Sequence, residues 1–171
     1  MYGQQAGQAP FGQFGGAASM TPGVPGTLAD WPQRALGLLI DWVVGWGPLV
    51  VLWVFGAAIN VDVIYVLFLL VGWIYSLAVF VYFGMQVGQF GSTPGMRVIG
   101  LKCVSKSTGQ AIGAGMGIAR AFVHIVDSII CYVGWLFPLW DAQRQTLADK
   151  IMGTLVVKVP AEGFSITPKA A

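Results

Sequence analysis

An arginine followed two helical turns later by an aspartate occurs twice in this chain. The first copy runs from Arg34 to Asp41 and the second from Arg120 to Asp127, each inside a long apolar run. In a helix, the two charges of one copy share a face and lie about 10 Å apart. Because ionised groups within apolar helices are costly, they mark an ion path, a buried ion pair or a helix-packing site. These four residues are therefore the first candidates for chemistry.

Asp41 has two interpretations. As a desolvated carboxylate it would bind a cation or carry a proton. As a structural group it would pair with a basic residue of another segment, and Arg120 is the natural choice. We favour the ion pair, because a position two turns into the helix is shallow enough for partial hydration.

The third apolar run carries a polar stripe. Arg120, His124 and Asp127 share one helical face by their four- and three-residue spacing. Histidine titrates near neutral pH, so the stripe could form a proton relay. A local hydrogen-bonded cluster is the simpler interpretation, and it is the one we favour.

The composition indicates the class of protein. The chain is 56% hydrophobic and 9% charged, whereas soluble domains carry roughly 25% charged residues. This predicts a small integral membrane protein. The formal net charge is only +2 and no basic patch alternates with aromatics, so nucleic acid is not an expected partner. We expect no metal, no cofactor and no enzymatic activity, because the sequence lacks a Ser/His, paired-Asp or zinc-ligand arrangement.

Two apolar segments must position the first charge pair. Spans at about 35–59 and 63–83, joined by a very short turn, predict a transmembrane hairpin. Asp30 is a candidate N-cap with Gln33 at the capping-box position, so the first helix should begin near Trp31. The uncharged residues 1–29, rich in Gly, Gln, Pro and Ala, predict a disordered tail.

The loop 84–117 has a different character. Gly91–Gly95 has turn chemistry, and an alternating run over 96–104 follows it. A phosphate-binding loop is disfavoured because the Gly-Lys-Ser/Thr ending is absent. We predict a small cytoplasmic β-hairpin at the membrane interface, which the strand-like run 154–159 could join.

The third apolar segment, 118–140, has two possible arrangements. If it crosses the membrane and the N-terminus is cytoplasmic, the nine basic residues of the chain divide almost evenly between the two sides. If it returns to its starting side as a re-entrant or interfacial segment, all nine are cytoplasmic, which the positive-inside rule favours. The predicted fold is an all-α integral membrane protein: a two-helix transmembrane hairpin, this third segment, the cytoplasmic β-hairpin and the disordered tail. The membrane domain spans 30–159, and 160–171 is a short tail.

Three ordered motifs resemble the RDD family of small bacterial membrane proteins. They are Arg34 with Asp41, the glycine-rich run, and the C-terminal block from Arg144 to Thr154 within the motif-and-strand region 144–159. The resemblance covers about residues 28–159. The candidate residues in the glycine-rich run are Gly91, Thr93, Gly95 and Arg97.

The resemblance also assigns family roles. Arg34 and Asp41 match the family's first arginine and first aspartate, and Asp149 best matches the second aspartate, with Asp127 as a competitor. Two positions depart from the pattern. Met96 stands where the family usually has lysine, and Ala148 stands where it often has histidine.

The resemblance implies an inner-membrane protein, of a family sometimes proposed to act in transport and with a member linked to cation/proton antiport. Two functions follow for this chain. It could be a transport component or ion/proton-coupled pathway that acts as an oligomer. Alternatively, it could be a non-catalytic scaffold or accessory subunit that binds a partner through its tail and cytoplasmic loop. The expected partners are the lipid bilayer and either further copies of the chain or another membrane protein. We expect a multi-pass protein of the bacterial plasma membrane with a cytoplasmic N-terminus.

Overall fold

The computed structural model describes residues 24, 26–59 and 62–167. Most of the predicted N-terminal tail, residues 1–23, lies outside the described residues. In chain order the helices and strands are α1 (Trp31–Ala58), α2 (Asp62–Phe90), α3 (Pro94–Ile99), β1 (Leu101–Ser105), α4 (Ala114–Ile129), α5 (Val133–Leu136), a 3₁₀ helix (Phe137–Leu139), α6 (Leu147–Met152) and β2 (Thr154–Lys158).

Helices α1 and α2 form the predicted apolar pair. Both are long and apolar enough to cross a membrane, which confirms the expectation of two such helices. Helix α1 begins at Trp31, as the capping signal predicts, and the Asp30 amide donates to the Gln33 side chain at 3.2 Å. Helix α2 extends to Phe90, beyond the predicted end at residue 83.

Residues 94–99 form a helix, where the sequence predicted part of a strand. Thr93 caps the helix by accepting a hydrogen bond from the Met96 amide at 3.2 Å, Pro94 occupies the first turn, and Gly100 ends it with a φ of 77°. These helix-start and helix-stop signals act within one turn and outweigh the alternating pattern. The predicted strand is therefore wrong at its beginning and right from residue 101 onward.

The sheet pairs β1 with β2 instead of forming a hairpin within the 84–117 loop. The strands are antiparallel, with Cys103 opposite Val156 at the centre. Leu28, just before α1, forms a bridge with Val157. The start of α1 and both strands consequently lie at one end of the molecule, which we call the ribbon end.

The segment 118–140 is bent rather than straight. Helix α4 and the residues 133–139 that follow it meet at 106°, and the break contains positive φ angles at Cys131 and Tyr132. Because β1 precedes this segment and β2 follows it, the chain leaves the ribbon end and returns to it. The bend excludes a straight helix over the whole segment, and both a broken span and a re-entrant segment contain such a break.

Helix α4 packs closely against the end of α2 through glycines. A Cβ on Gly88 would lie 2.1 Å from the Gly113 carbonyl oxygen, and a Cβ on Gly117 would lie 2.2 Å from that of Gly84. These four glycines form two G-x-x-x-G motifs, which permit close helix approach. Here the two motifs contact one another within the chain.

Candidate functional site

A buried carboxylate joins the two arginines of the repeated pattern. Asp149, which is 0% exposed, accepts a hydrogen bond from Arg34 Nη1 at 2.7 Å on Oδ2. On Oδ1 it accepts from Arg120 Nη2 at 2.6 Å and from Arg120 Nε at 3.0 Å. Both pairs are also ion pairs. Arg34, Arg120 and Asp149 together are called the charge cluster below.

Short-range signals hold Asp149 in place. Thr146 caps α6, since its hydroxyl accepts from the Asp149 amide at 3.1 Å, and the Thr146 amide donates back to the carboxylate at 3.3 Å. The Thr154 hydroxyl of β2 donates to Oδ1 at 2.9 Å. Burial alone would raise the pKa of Asp149, but the charges of Arg120 and Arg34 outweigh it and hold that pKa well below its ordinary value.

The two arginines of the charge cluster are not equivalent. Arg120 uses two of its nitrogens on Asp149, whereas Arg34 uses only Nη1. The Arg34 Nε and Nη2 atoms are buried and have no hydrogen-bond partner among the described residues. Buried donors are normally satisfied. Arg34 therefore retains unused hydrogen-bonding capacity.

Asp41 binds α3 rather than an arginine. It accepts from the Thr93 hydroxyl at 2.5 Å on Oδ2 and from the Gly95 amide at 2.7 Å on Oδ1. A Cβ on Gly95 would lie 2.1 Å from the Gly37 carbonyl oxygen, so only glycine permits this approach. The predicted pairing of Asp41 with Arg120 is wrong: backbone and hydroxyl donors satisfy Asp41.

His124 and Asp127 contact one another, as their spacing predicts. His124 Nδ1 lies 2.6 Å from Asp127 Oδ2, and the His124 ring stacks on Trp135 with centroids 4.7 Å apart. The other Asp127 oxygen accepts from the Ala148 amide of α6 at 3.2 Å. Arg120 belongs to the charge cluster, so the predicted stripe is divided between two sets of contacts.

The two aspartates of the repeated pattern make the same kind of contact. Asp41 of α1 accepts from the Gly95 amide in the first turn of α3, and Asp127 of α4 accepts from the Ala148 amide in the first turn of α6. Each amide belongs to the second residue after the cap. The sequence repeat is therefore also a structural repeat.

The resemblance between the two halves continues along the chain. Thr93 and Thr146 cap α3 and α6, and both hydroxyls accept an amide hydrogen bond. Gly100 and Gly153 end these helices with backbone angles in the left-handed region, and each is followed by one strand of the two-stranded sheet. One half contains α1 to β1, and the other contains α4 to β2.

The halves differ at one decisive position. Met96 stands in α3 where Asp149 stands in α6, each three residues after the capping threonine. The first half thus lacks a carboxylate of its own, and Arg34 reaches across to Asp149 of the second half. One carboxylate serves both arginines.

The remaining predicted residues lie elsewhere. Arg97 is buried and donates to the Ser92 carbonyl oxygen at 2.9 Å and to the Ser165 carbonyl oxygen at 2.6 Å, which fixes the C-terminal segment. Gly91 has a φ of 80°, and its carbonyl oxygen accepts from the Cys103 amide. Arg144 forms an ion pair with Asp30. The charge cluster includes none of them.

A cavity of about 440 Å³ lies between α1, α2 and α4. Its polar wall includes Arg34, Arg120, His124 and Asp41. Its aromatic wall consists of Trp31, Trp42, Trp46, Phe80, Phe83 and Trp135. Small-molecule sites typically combine such apolar walls with a few polar groups in roughly 300–1,000 Å³. Among the residues that the structure describes, no cluster of three His, Cys, Asp or Glu could hold a metal ion.

The sequence analysis missed the aromatic wall. Trp31, Trp42 and Trp46 of α1 follow the same helical face as Arg34, and this spacing was a usable signal. The contribution of Trp135 depends on the bend after α4, where its carbonyl oxygen accepts from Trp31 Nε1 at 2.8 Å. Sequence spacing carries no signal for that contact.

The chain is similar in sequence to several known proteins. The chain is 50% identical over 94 residues to a proline-rich antigen homolog of Mycobacterium tuberculosis (strain ATCC 25618 / H37Rv), covering 53% of this chain and 39% of that protein. It is 47% identical over 88 residues to a proline-rich antigen of Mycobacterium leprae (strain TN), covering 51% and 35%. YxaI of Bacillus subtilis (strain 168) is 32% identical over 77 residues, covering 44% and 50%. The matched regions thus span half or less of the length of these relatives.

No solved structure matches the chain. The sequence does match the RDD family over residues 28–153, a region that contains α1, both repeated charge pairs and all of the charge cluster. The chain belongs to the RDD family.

Proposed function

We propose that this protein is a transport component of the bacterial cytoplasmic membrane, acting as an oligomer, with the cavity as the compartment that a solute or ion occupies. The observation that carries this proposal is the cavity itself. Charged groups line a space enclosed by two membrane-length helices and a bent helix. Ionisable groups in such positions commonly mark transport pathways.

The proposed topology places the ribbon end in the cytoplasm. Helices α1 and α2 cross the membrane, and α4 enters from the cytoplasmic side and returns to it. The distribution of basic residues supports this orientation. At or near the ribbon end are Arg34, Arg97, Lys102, Lys106, Arg120, Arg144, Lys150 and Lys158.

A pair of C-terminal reporters tests this topology. Green fluorescent protein fused after residue 171 should fluoresce, and alkaline phosphatase at the same place should be inactive, because both would lie in the cytoplasm. The reverse result would place the C-terminus outside and contradict the re-entrant path.

Ion flux through the cavity can be tested with a variant that fills it. Ala121 lines the cavity, so Ala121→Trp should block it without removing a charge. Ala57→Trp adds the same side chain to an exposed position of α1 and serves as the control. In proteoliposomes loaded with a pH-sensitive dye, we expect an imposed cation gradient to drive proton movement through the wild type and Ala57→Trp, but not through Ala121→Trp.

Equal flux through Ala121→Trp and the wild type would exclude the cavity as the pathway. An absence of flux from all three proteins would count against transport and favour the alternative of an accessory subunit. Co-purification of a membrane partner with the full chain would then be the next measurement.

A further inference from the structure

The unused donors of Arg34 indicate what the cavity recognises. Arg34 lines the cavity, and its Nε and Nη2 are buried without a partner among the described residues. The planar guanidinium fork matches the oxygens of a phosphate or carboxylate. We propose that the cavity binds an anionic amphiphile, with its phosphate or carboxylate head on Arg34 and Arg120 and its apolar chain along the aromatic wall. This rests on the proposed function, because it names the ligand class of the same compartment.

The arrangement of donors around the cavity assigns the anionic group to Arg34. Arg34 and Arg120 both line the cavity and share Asp149. The two other nearby aspartates have their own donors: Asp41 accepts from Thr93 and Gly95, and Asp127 contacts His124 and accepts from the Ala148 amide. The unpartnered donors that an anionic group could use therefore belong to Arg34.

The aromatic wall favours an apolar chain attached to that anion. Trp42 and Trp46 stack with ring centroids 5.6 Å apart, and Trp42 lies about 12 Å along α1 from Arg34. A small free anion would leave this wall unused. A wholly apolar ligand would leave the Arg34 donors unsatisfied, which carries a desolvation cost. An amphiphile satisfies both regions.

Several apolar residues that line the cavity are exposed. Leu38 and Trp42 of α1 and Ile125 of α4 line it and are 44%, 59% and 51% exposed. In a membrane, exposed apolar side chains on these helices contact acyl chains rather than water. An amphiphile already in the bilayer could therefore enter sideways, head first toward the ribbon end.

Binding of three defined probes to the purified full chain in neutral detergent tests the proposal. Oleoyl lysophosphatidylglycerol carries both a phosphate and a chain, monoolein carries the chain alone, and inorganic phosphate carries the anion alone. Native mass spectrometry and tryptophan fluorescence report binding. We expect the first probe to bind at least about tenfold more tightly than the other two, because a hydrogen bond to a charged group typically contributes a factor of that size.

Two variants separate the head site from the chain site. Arg34→Lys keeps a cation beside Asp149 but removes the guanidinium fork, and it should weaken lysophosphatidylglycerol binding at least about tenfold. Ala121→Trp should abolish binding by filling the cavity. Ala57→Trp should bind as the wild type does, and thermal unfolding of each variant verifies that it is folded.

Equal affinity for monoolein and lysophosphatidylglycerol would overturn the head site, and equal affinity for inorganic phosphate would overturn the chain site. Unchanged binding by a folded Arg34→Lys would also refute the proposal. Failure of transport is separately visible: lipid binding without flux would retain this inference and reject the transport role. Cavity-dependent flux without lipid binding would retain the transport role and reject this inference.

Discussion

Removing the charge of Asp149 should destabilise the whole membrane domain. In Asp149→Asn the amide oxygen can still accept from one arginine, but the amide NH₂ then faces the other. Arg34 and Arg120, at 2.7 and 2.6 Å from the carboxylate, would both lose their counter-charge. Breaking a buried ion pair costs about 3–5 kcal/mol. For a chain of this size, that free energy corresponds to a Tm roughly 6–20 °C lower.

Thermal unfolding in detergent, followed by tryptophan fluorescence, measures this effect. The matched control is Asp62→Asn, which makes the same chemical change at an exposed position in the first turn of α2. Loss of a favourable charge at a helix start costs only about 0.3–1 kcal/mol. If Asp149→Asn lowers Tm by no more than Asp62→Asn does, the charge cluster does not hold the two halves together.

The pH dependence of this difference follows from the lowered pKa of Asp149. The folded pKa lies below the ordinary value of 3.8, so the stabilisation is fully present above that value and is lost only as the pH falls through the folded pKa. The Tm gap between the wild type and Asp149→Asn should therefore be constant from about pH 8 to about pH 5 and narrow only in stronger acid. If the Tm difference between the two proteins disappears between pH 7 and pH 5, the lowered pKa of Asp149 is not its cause.

Three further perturbations probe other contacts. Gly95→Ala should lower Tm because its Cβ would meet the Gly37 carbonyl oxygen at 2.1 Å. The control Gly115→Ala has no neighbour within 4 Å and should be neutral or stabilising by about 0.5–1 kcal/mol. Thermal unfolding measures both variants, and equal losses of Tm would argue against the α1–α3 contact. Cys103 is buried, and burial raises the pKa of its thiol. A maleimide should therefore label Cys103 slowly in the wild type and faster in Asp149→Asn. Rapid labelling of the folded wild type would contradict this burial. Arg97→Ala removes the donor to the Ser165 carbonyl oxygen and should make residues 160–167 sensitive to limited proteolysis. If these residues resist the protease as well as they do in the wild type, other contacts hold the segment.

Local signals explain what the sequence predicted well. The cap at Asp30 and the apolar lengths of α1 and α2 act within one element, so the helix start and the two membrane-length helices could be identified. The strands around 101–105 and 154–158 were visible because the first continues an alternating run and the second is rich in β-branched residues. The error at residues 96–99 came from giving this alternation more weight than the Thr93 cap and Pro94.

Long-range selection explains what the sequence did not predict. Arg34 and Asp149 are 115 residues apart, and charge type alone could not decide which carboxylate each arginine takes. Similar depth in the apolar runs made Asp41 and Arg120 a plausible pair. The actual partner of Asp41 includes the amide of Gly95, a residue with no side chain to reveal it. The repeated arginines were nevertheless the correct residues to single out, since both meet at one buried group.

The shared carboxylate has a consequence for the order of events during synthesis. Arg34 leaves the ribosome 115 residues before Asp149, which at about 5–20 residues per second is roughly 6–23 s. Helices α1 and α2 are complete well before that, so in the proposed topology α1 enters the membrane while its arginine has no counter-ion. A long side chain near a helix end can extend to the lipid headgroups in the meantime. In that topology the hairpin of α1 and α2 is inserted first, and the contact between Arg34 and Asp149 forms only after the last helix and strand have been made.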